Sequence, residues 1–216
     1  MKTKPTLLLA ISAFALLSSS VVSQAQDSTA VNLLDGNLDH WTIDKAGAWE
    51  LKDGVLGTTD KPGGYVWSKE QYENFELTIE YKTSAKCNSG LFFRTDPKNA
   101  VQGGFEIQIA SAGIYDGKHV AGSLYGAQAP TASAGKADGE WNTMTLTAKG
   151  PMITVVLNGK TIVEANIDEW KTANLNPDGT KNKFKTALKD LPRSGHIGFQ
   201  YHGQPVFYRN VKVRAL

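Results

Sequence analysis

The sequence predicts an all-β protein, a sandwich or jelly roll of two antiparallel sheets. Short segments in which apolar and polar residues alternate dominate the chain, whereas helical periodicity is weak. Two-residue turn signals, Asp53-Gly54 and Asn158-Gly159, separate neighbouring segments as in β-hairpins. Many short antiparallel strands joined by glycine-rich turns are typical of these architectures.

The strands follow from the alternation in chain order. The predicted strands are 48–51, 55–58, 75–82, 89–94, 105–110, 141–148, 153–157, 160–163, 196–202 and 206–213. Between them we expect two long loops, 111–140 and 169–189, the second with one helical turn near 184–188. Long loops in a compact domain are usually functional, so we expect these two to form the rim of a site.

The first 25 residues predict an export signal. Lys2 and Lys4 precede an apolar run from Leu7 to Leu17, and Ser23-Gln24-Ala25 fits a cleavage site. We therefore expect cleavage after Ala25, with an uncleaved anchor as the alternative, a periplasmic or secreted location, and a single domain over 26–216.

Composition excludes several partners. The formal net charge is +2, and loss of the two signal lysines brings it to about zero, so we expect no binding to nucleic acid. For the same reason, and because no second apolar segment follows the signal, we expect no membrane association after cleavage. The chain's one cysteine, Cys87, cannot form an internal disulfide.

The strand at 196–202 carries the most unusual side chains. Ile197, Phe199 and Tyr201 point to one face, and the opposite face presents His196, Gln200 and His202. Histidines and an amide suit a groove that binds a polar molecule and moves its protons, because histidine titrates near neutral pH.

A second strand, 105–109, repeats this pattern, with Glu106 and Gln108 on its polar face. If both strands belong to one sheet, these two residues converge with Gln200 and His202, and Glu80 and Arg94 lie on strands that can join them. Such a cluster can bind sugar hydroxyls and perform acid–base chemistry. The alternative for Glu106 is a surface residue, solvated or paired with Arg94.

Further candidates surround this cluster. Tyr125 and Trp67 are candidate sugar-stacking residues, and the alternative for each is to fill the core. His119 lies in the first long loop, where a surface role is the alternative. Glu106, His119 and His202 have the chemistry of metal ligands, so a divalent ion is left open, although no spacing demands one.

The sequence lacks the motifs of several common enzyme mechanisms. The chain has no Gly-x-Ser-x-Gly elbow, no phosphate loop and no dinucleotide fingerprint. The Glu-x-Asp-x-x-Glu strand of laminarinase-type jelly rolls is replaced by Glu106-Ile107-Gln108, so the usual pair of glycosidase carboxylates is missing.

The order of motifs resembles the family once called DUF1080 and now 3-keto-disaccharide hydrolase (3-keto-glucoside-1,2-lyase/3-keto-2-hydroxy-glucal hydratase). The motifs, which extend over the predicted mature chain, are Leu34-Asp35-Gly36 with Trp41, Asn88-Ser89-Gly90-Leu91-Phe92-Phe93-Arg94, Phe105-Glu106-Ile107-Gln108, Gly122-Ser123-Leu124-Tyr125, Trp141-Asn142, Leu157-Asn158-Gly159, Gly195-x-Ile197-Gly198-Phe199-Gln200-x-His202-Gly203 and Val206-x-Tyr208-Arg209-Asn210-Val211. The resemblance implies a concanavalin A-like jelly roll. The loop after Trp170 departs from the pattern, and we interpret it as an insertion that tunes substrate size.

The resemblance also implies exported enzymes that act on small-molecule sugars, namely glycosides oxidised at C3. A C3 ketone acidifies the C2 proton, so one base can start elimination at C1, after which water adds to the 2-hydroxy-glucal. On this hypothesis His202 or Glu106 is the base, and Arg94 orients the substrate or stabilises the enolate. Gln108 and Tyr125 then recognise hydroxyls, and a metal that polarises the carbonyl is a variant. The alternative function is a non-catalytic carbohydrate-binding jelly roll.

Overall fold

The computed structural model describes residue 1, residues 29–61 and residues 63–216. The predicted signal peptide and its cleavage site lie outside these residues, so export stays a prediction. No helix within the described ranges has the length and apolar character needed to span a membrane.

The described residues form thirteen strands and four short 3-10 turns. The strands are β1 (Val31–Asn32), β2 (Trp41–Ile43), β3 (Trp49–Lys52), β4 (Val55–Thr58), β5 (Gly64–Tyr72), β6 (Phe75–Thr83), β7 (Asn88–Thr95), β8 (Phe105–Ala110), β9 (Asn142–Lys149), β10 (Met152–Leu157), β11 (Lys160–Asn166), β12 (Gly195–Tyr201) and β13 (Val206–Ala215). The 3-10 turns are Pro97–Asn99, Gly117–His119, Ile167–Glu169 and Leu188–Asp190.

The strands pair into two antiparallel sheets. The large sheet has the order β11-β10-β9-β6-β13-β4-β3, with β1 also paired to β13. The small sheet has the order β2-β5-β12-β7-β8. The prediction of an all-β sandwich of two antiparallel sheets is confirmed, and strands β8 and β12 lie in the same sheet with β7 between them.

The core fills the space between the sheets. The large sheet contributes the alternate residues Phe75, Leu77 and Ile79 of β6, and the small sheet contributes Ile107 and Phe199. Burial of these side chains from both sheets supplies the main driving force for folding, about 1.5–3 kcal/mol for each large apolar side chain. The small sheet's other face is turned away from this core, and its side chains are available to build a site.

The ten predicted strands all form, with shifts of a few residues at their ends. The predictions omitted β1, β2 and β5. Strand β5 was missed because Val66, Trp67 and Ser68 are buried in succession, so its sequence shows no alternation. The helical turn expected near 184–188 forms instead as a 3-10 turn at Leu188–Asp190.

Candidate active site

A polar hollow of about 230 Å³ lies on the outer face of the small sheet. Strands β7, β8 and β12 supply its floor, and the two long loops supply its walls. The lining residues are Asn88, Phe92, Val101, Glu106, Gln108, Tyr125, Lys183, Gln200 and His202. The structure thus brings together five residues that the sequence nominated: Glu106, Gln108, Tyr125, Gln200 and His202.

Glu106 is the only carboxylate among the described residues that line the hollow, and it is 7% exposed. Its side chain lies across Gly90 on the neighbouring strand, where any Cβ atom would overlap the carboxylate. Burial raises the pKa of the Glu106 carboxyl, while the nearby charges of Lys183 and His202 oppose that rise. A raised pKa suits a carboxylate that exchanges protons near neutral pH.

Lys183 comes from the second long loop and faces Glu106. Its Nζ lies 3.3 Å from Glu106 Oε2 and 4.1 Å from the centre of the Tyr125 ring. Burial lowers the pKa of Lys183, and the Glu106 carboxylate opposes that change. A partly desolvated ammonium beside one buried carboxylate can stabilise a negative oxygen on a bound molecule.

The loop that carries Lys183 is anchored at this residue and just after it. Gln102 Nε2 donates to the carbonyl of Lys183 at 2.9 Å, and the backbone N–H of Lys185 donates to Gln102 Oε1 at 3.0 Å. Earlier in the same loop, Trp170 Nε1 donates to Asn176 Oδ1 at 2.8 Å. The loop after Trp170 therefore places a cation in the hollow.

Gln108 offers a polar atom to a ligand. Its Nε2 donates to Asn88 Oδ1 at 3.0 Å, while its Oε1 is buried without a hydrogen-bond partner. Such an unpaired acceptor costs about 1–3 kcal/mol. A sugar hydroxyl can relieve this cost, and if the amide is turned over, the ligand meets a donor instead.

A cluster of three aromatic rings lies beside the hollow, and Phe92 is the member of this cluster that lines it. Tyr65 stacks on Trp67 at 5.0 Å between ring centres, and both rings meet the edge of Phe92. Trp67 lies over Gly198, where a Cβ would overlap its ring. Gln200 Nε2 donates to Tyr65 Oη at 3.2 Å, so this cluster also orients an amide of the hollow.

Trp67 does not have the position expected of a sugar-stacking residue. Its ring is 4% exposed and does not line the hollow, so the prediction that it contacts substrate is wrong for this structure. The ring supports Tyr65 and Phe92 instead. The sequence shows a tryptophan on a strand but does not show which neighbouring rings cover it.

The first long loop positions Tyr125. Backbone bonds from Gly122 N to Gln108 O (2.8 Å) and from Tyr125 N to Glu106 O (2.9 Å) lay this segment along the free edge of β8. His119 is exposed and touches the outer side of the Tyr125 ring at 4.8 Å between centres. It lies outside the lining of the hollow. His202 directly follows β12 and is exposed at the mouth of the hollow.

Arg94 lies in the protein core, and the expectation that it faces the site is wrong. It has a φ of 48°, and the pairing of β12 with β7 shifts register here. This bulge interrupts the alternation on which the prediction depended. The fully buried guanidinium donates to Glu73 O and Gly150 O, both at 2.8 Å, and burial lowers its pKa to about 10.

Glu80 is also absent from the hollow. It lies on β6 in the large sheet, where its carboxylate accepts from Arg209 Nε at 2.6 Å and from Asn210 Nδ2 at 2.9 Å. The expectation that its strand joins the site was wrong because alternation does not reveal which sheet a strand enters. Glu80 belongs to a surface ion pair.

The three metal-ligand candidates are not gathered. His119 lies outside the hollow that Glu106 and His202 line, and the described ranges contain no group of three His, Cys, Asp or Glu side chains arranged to hold a metal ion.

Four lining residues were missed from the sequence, the apolar Phe92 and Val101 and the polar Asn88 and Lys183. Asn88 shares the polar face of β7 with Gly90 and Phe92, so the same alternation could have identified it. Lys183 gave no such signal, because it lies in a loop without periodicity and becomes a site residue only through the loop's anchors.

The fold and the hollow define a jelly-roll protein with a polar site beside aromatic rings, an arrangement suited to carbohydrates. The chain belongs to the family described as 3-keto-alpha-glucoside-1,2-lyase-like domain, which matches residues 29–214. This match confirms the resemblance found in the sequence motifs.

Relatives and solved structures agree with this assignment. The chain is 23% identical over 203 residues to a 3-keto-disaccharide hydrolase of Bacteroides thetaiotaomicron, covering 78% of this chain and 70% of the relative. A crystal structure from Parabacteroides distasonis, provisionally named a glycosyl hydrolase, shares 33% identity with a TM-score of 0.81, covering 87% of this chain and all of that one. The Bacillus licheniformis β-glucanase shares the fold alone (TM-score 0.52, 12% identity, 89% and 100% coverage).

Proposed function

We propose that this protein cleaves 3-keto-glycosides by removing the C2 proton, eliminating the substituent at C1 and adding water to the resulting 3-keto-2-hydroxy-glucal. The family membership and the curated relative's name support a glycoside-acting enzyme. The finer chemistry is proposed from the hollow.

One observation carries the proposal: a single buried carboxylate paired with a half-buried ammonium. Ordinary glycosidases use two carboxylates on either side of the scissile bond, whereas Glu106 is alone in the lining that the structure describes. Elimination beside a ketone needs one base and one group that stabilises the enolate oxygen. Glu106 Oε2 and Lys183 Nζ lie 3.3 Å apart. On one bound sugar, Glu106 can therefore take the proton from C2 while Lys183 donates to the oxygen on the neighbouring C3.

The roles follow from these positions. Glu106 takes the proton from C2, and the C2–H electron pair forms an enolate whose oxygen receives a hydrogen bond from Lys183. The enolate then collapses, the C1–O bond breaks, and His202 at the mouth protonates the departing oxygen. Water adds to C1 as a proton returns to C2. Lys183 thus takes the enolate role first assigned to Arg94, and Gln108, Asn88 and Gln200 hold hydroxyls.

The first prediction is that the protein cleaves 3-keto-trehalose and leaves trehalose intact, because only the ketone makes the C2 proton acidic. The purified protein is incubated with each sugar in D₂O, and the released glucose is measured. Elimination followed by hydration places deuterium at C2 of the 3-keto-glucose product. The deuterium content of this product is compared with that of 3-keto-glucose incubated with the Glu106→Gln variant, and a higher content in the product identifies this mechanism.

Cleavage of trehalose alone would indicate ordinary glycosidase chemistry, and cleavage of neither sugar would favour a binding module. A parallel arm with EDTA, followed by added Mn²⁺, tests the metal variant. Loss and recovery of turnover in that arm would add a metal ion to the mechanism.

The second prediction concerns Lys183→Met. Loss of one donor to a developing oxyanion lowers kcat by about 10²–10³-fold. Because Lys183 holds down the pKa of Glu106, its removal raises that pKa further. The base must be ionised, so the acidic limb of the kcat/KM profile moves to higher pH. The measurement is the pH profile on 3-keto-trehalose.

Lys185→Met is the matched control, because Lys185 is exposed in the same loop and anchors it through its backbone N–H. We expect this variant to retain the wild-type profile. If the acidic limb of the Lys183→Met profile does not move, Lys183 does not influence the pKa of the base, and this part of the proposal is contradicted.

A further inference from the structure

A second cavity, of about 260 Å³, lies at one end of the sandwich beneath the first long loop. Its walls are the ends of β6 and β8, the start of β9 and parts of the segment between residues 110 and 136. The reaction steps proposed above use none of its residues.

Most polar side chains of this cavity are already engaged within the protein. Thr83 Oγ1 donates to Asp138 Oδ1 at 2.8 Å, Lys136 Nζ donates to Trp141 O at 2.9 Å, and Ser111 Oγ donates to Ser84 O at 2.9 Å. Asn142 Oδ1 likewise accepts from the backbone N–H of Lys136 at 2.8 Å. The surface that remains for a ligand is therefore more apolar than polar.

The apolar part of that surface consists of small side chains and two rings, those of Tyr81 and Tyr115. Ala110, Val120, Ala121, Pro130 and Ala132 line the cavity, together with Tyr81, which is 2% exposed. Small apolar side chains beside aromatic rings complement a flat apolar group.

The cavity adjoins the hollow along β8. Gln108 lines the hollow, and Ala110, two residues farther along the same face, lines the cavity, so the two positions are about 7 Å apart. Asn88 of the hollow is the register partner of Ala110. Ala121 of the cavity precedes Gly122, whose N–H donates to the Gln108 carbonyl. A glycoside can therefore place its sugar in the hollow and its C1 substituent toward the cavity.

We propose that this cavity is the aglycone subsite and that it takes a flat apolar aglycone, such as an aryl group. The proposal rests on the proposed function for the sugar's position, and it names aryl 3-keto-glycosides as the preferred substrates, ahead of disaccharides such as 3-keto-trehalose.

The test compares aryl with methyl glycosides in the wild type and in Ala132→Phe, which fills the cavity from a half-buried position. Binding of 4-nitrophenyl and methyl α-glucoside is measured by calorimetry, and cleavage of their 3-keto forms by product release. The wild type is expected to bind the aryl glucoside at least tenfold more tightly, with a similar advantage in KM for the 3-keto form. Ala132→Phe is expected to lose this preference and keep the methyl values.

Ala46→Phe is the matched control, since Ala46 is exposed and lines neither the cavity nor the hollow. An aryl preference in binding that Ala132→Phe abolishes supports the subsite even where neither 3-keto form is cleaved, in which case only the proposed reaction fails. Equal binding of the aryl and methyl glucosides by the wild type overturns the subsite, whether or not the 3-keto forms are cleaved. A preference that survives in Ala132→Phe overturns it as well.

Discussion

Glu106→Gln is expected to lower kcat on 3-keto-trehalose by about 10³-fold or more, because general-base catalysis contributes roughly 10²–10⁴-fold and no other carboxylate among the described lining residues can replace it. The amide keeps the shape of the side chain over Gly90 and can still accept from Lys183, so the variant should fold. Steady-state kinetics and thermal unfolding measure the two effects separately.

Glu80→Gln is the matched control, because the sequence nominated both glutamates and the structure separates them. Glu80 lies on the large sheet in an ion pair with Arg209, so its variant should retain wild-type kcat. Full turnover by Glu106→Gln, or loss of turnover by Glu80→Gln, would contradict the assignment of the base.

The same substitution has a pH signature in stability. Burial raises the folded-state pKa of Glu106, so the unfolded chain releases this proton at lower pH than the folded one. As pH rises from the ordinary carboxyl pKa through the raised value, the stability that protonated Glu106 contributes is lost. The stability of Glu106→Gln relative to wild type should therefore increase across this interval, as measured by urea unfolding at several pH values.

Arg94→Met is expected to lower the free energy of unfolding by about 3 kcal/mol, which is large for a single substitution. The fully buried guanidinium connects two turns, because it donates to Glu73 O, which precedes β6, and to Gly150 O, between β9 and β10. Methionine fills part of the space but removes both hydrogen bonds, and a hydrogen bond that involves a charged group contributes about 1.5–3 kcal/mol. Urea unfolding at 25 °C measures the loss.

Arg214→Met provides the comparison. Arg214 pairs with Glu76 at 3.1 Å on the surface, where an ion pair contributes about 0–1 kcal/mol. The folded fraction of Arg94→Met should keep the wild-type KM, because Arg94 does not reach the hollow. If Arg94→Met is as stable as Arg214→Met but inactive, Arg94 acts in the site, and this result would contradict the structure.

The strand pattern made much of the fold and part of the site predictable. Alternation in 105–110 and 196–202 identified one polar face on each strand, and the structure places Glu106, Gln108, Gln200 and His202 around one hollow. These predictions succeeded because side-chain direction in a strand is a local property with a period of two.

Arg94 and Glu80 are two residues whose positions the local strand pattern predicted wrongly. A bulge with a φ of 48° turned Arg94 away from the face that alternation predicted. Glu80 has a regular alternating strand, but that strand pairs with β13 and β9 in the other sheet. Neither the bulge nor the partner of a strand can be predicted from a short sequence pattern.

The sequence by itself determined the all-β architecture, the family and the carboxylate–histidine–amide character of the site, because these depend on residue types and local periodicity. Only the tertiary structure showed that Lys183 faces Glu106, that Trp67 supports other rings, and that an apolar cavity adjoins the hollow along β8. Each of these depends on contacts between residues distant in the chain, and such contacts are decided by packing and strand pairing rather than by local pattern.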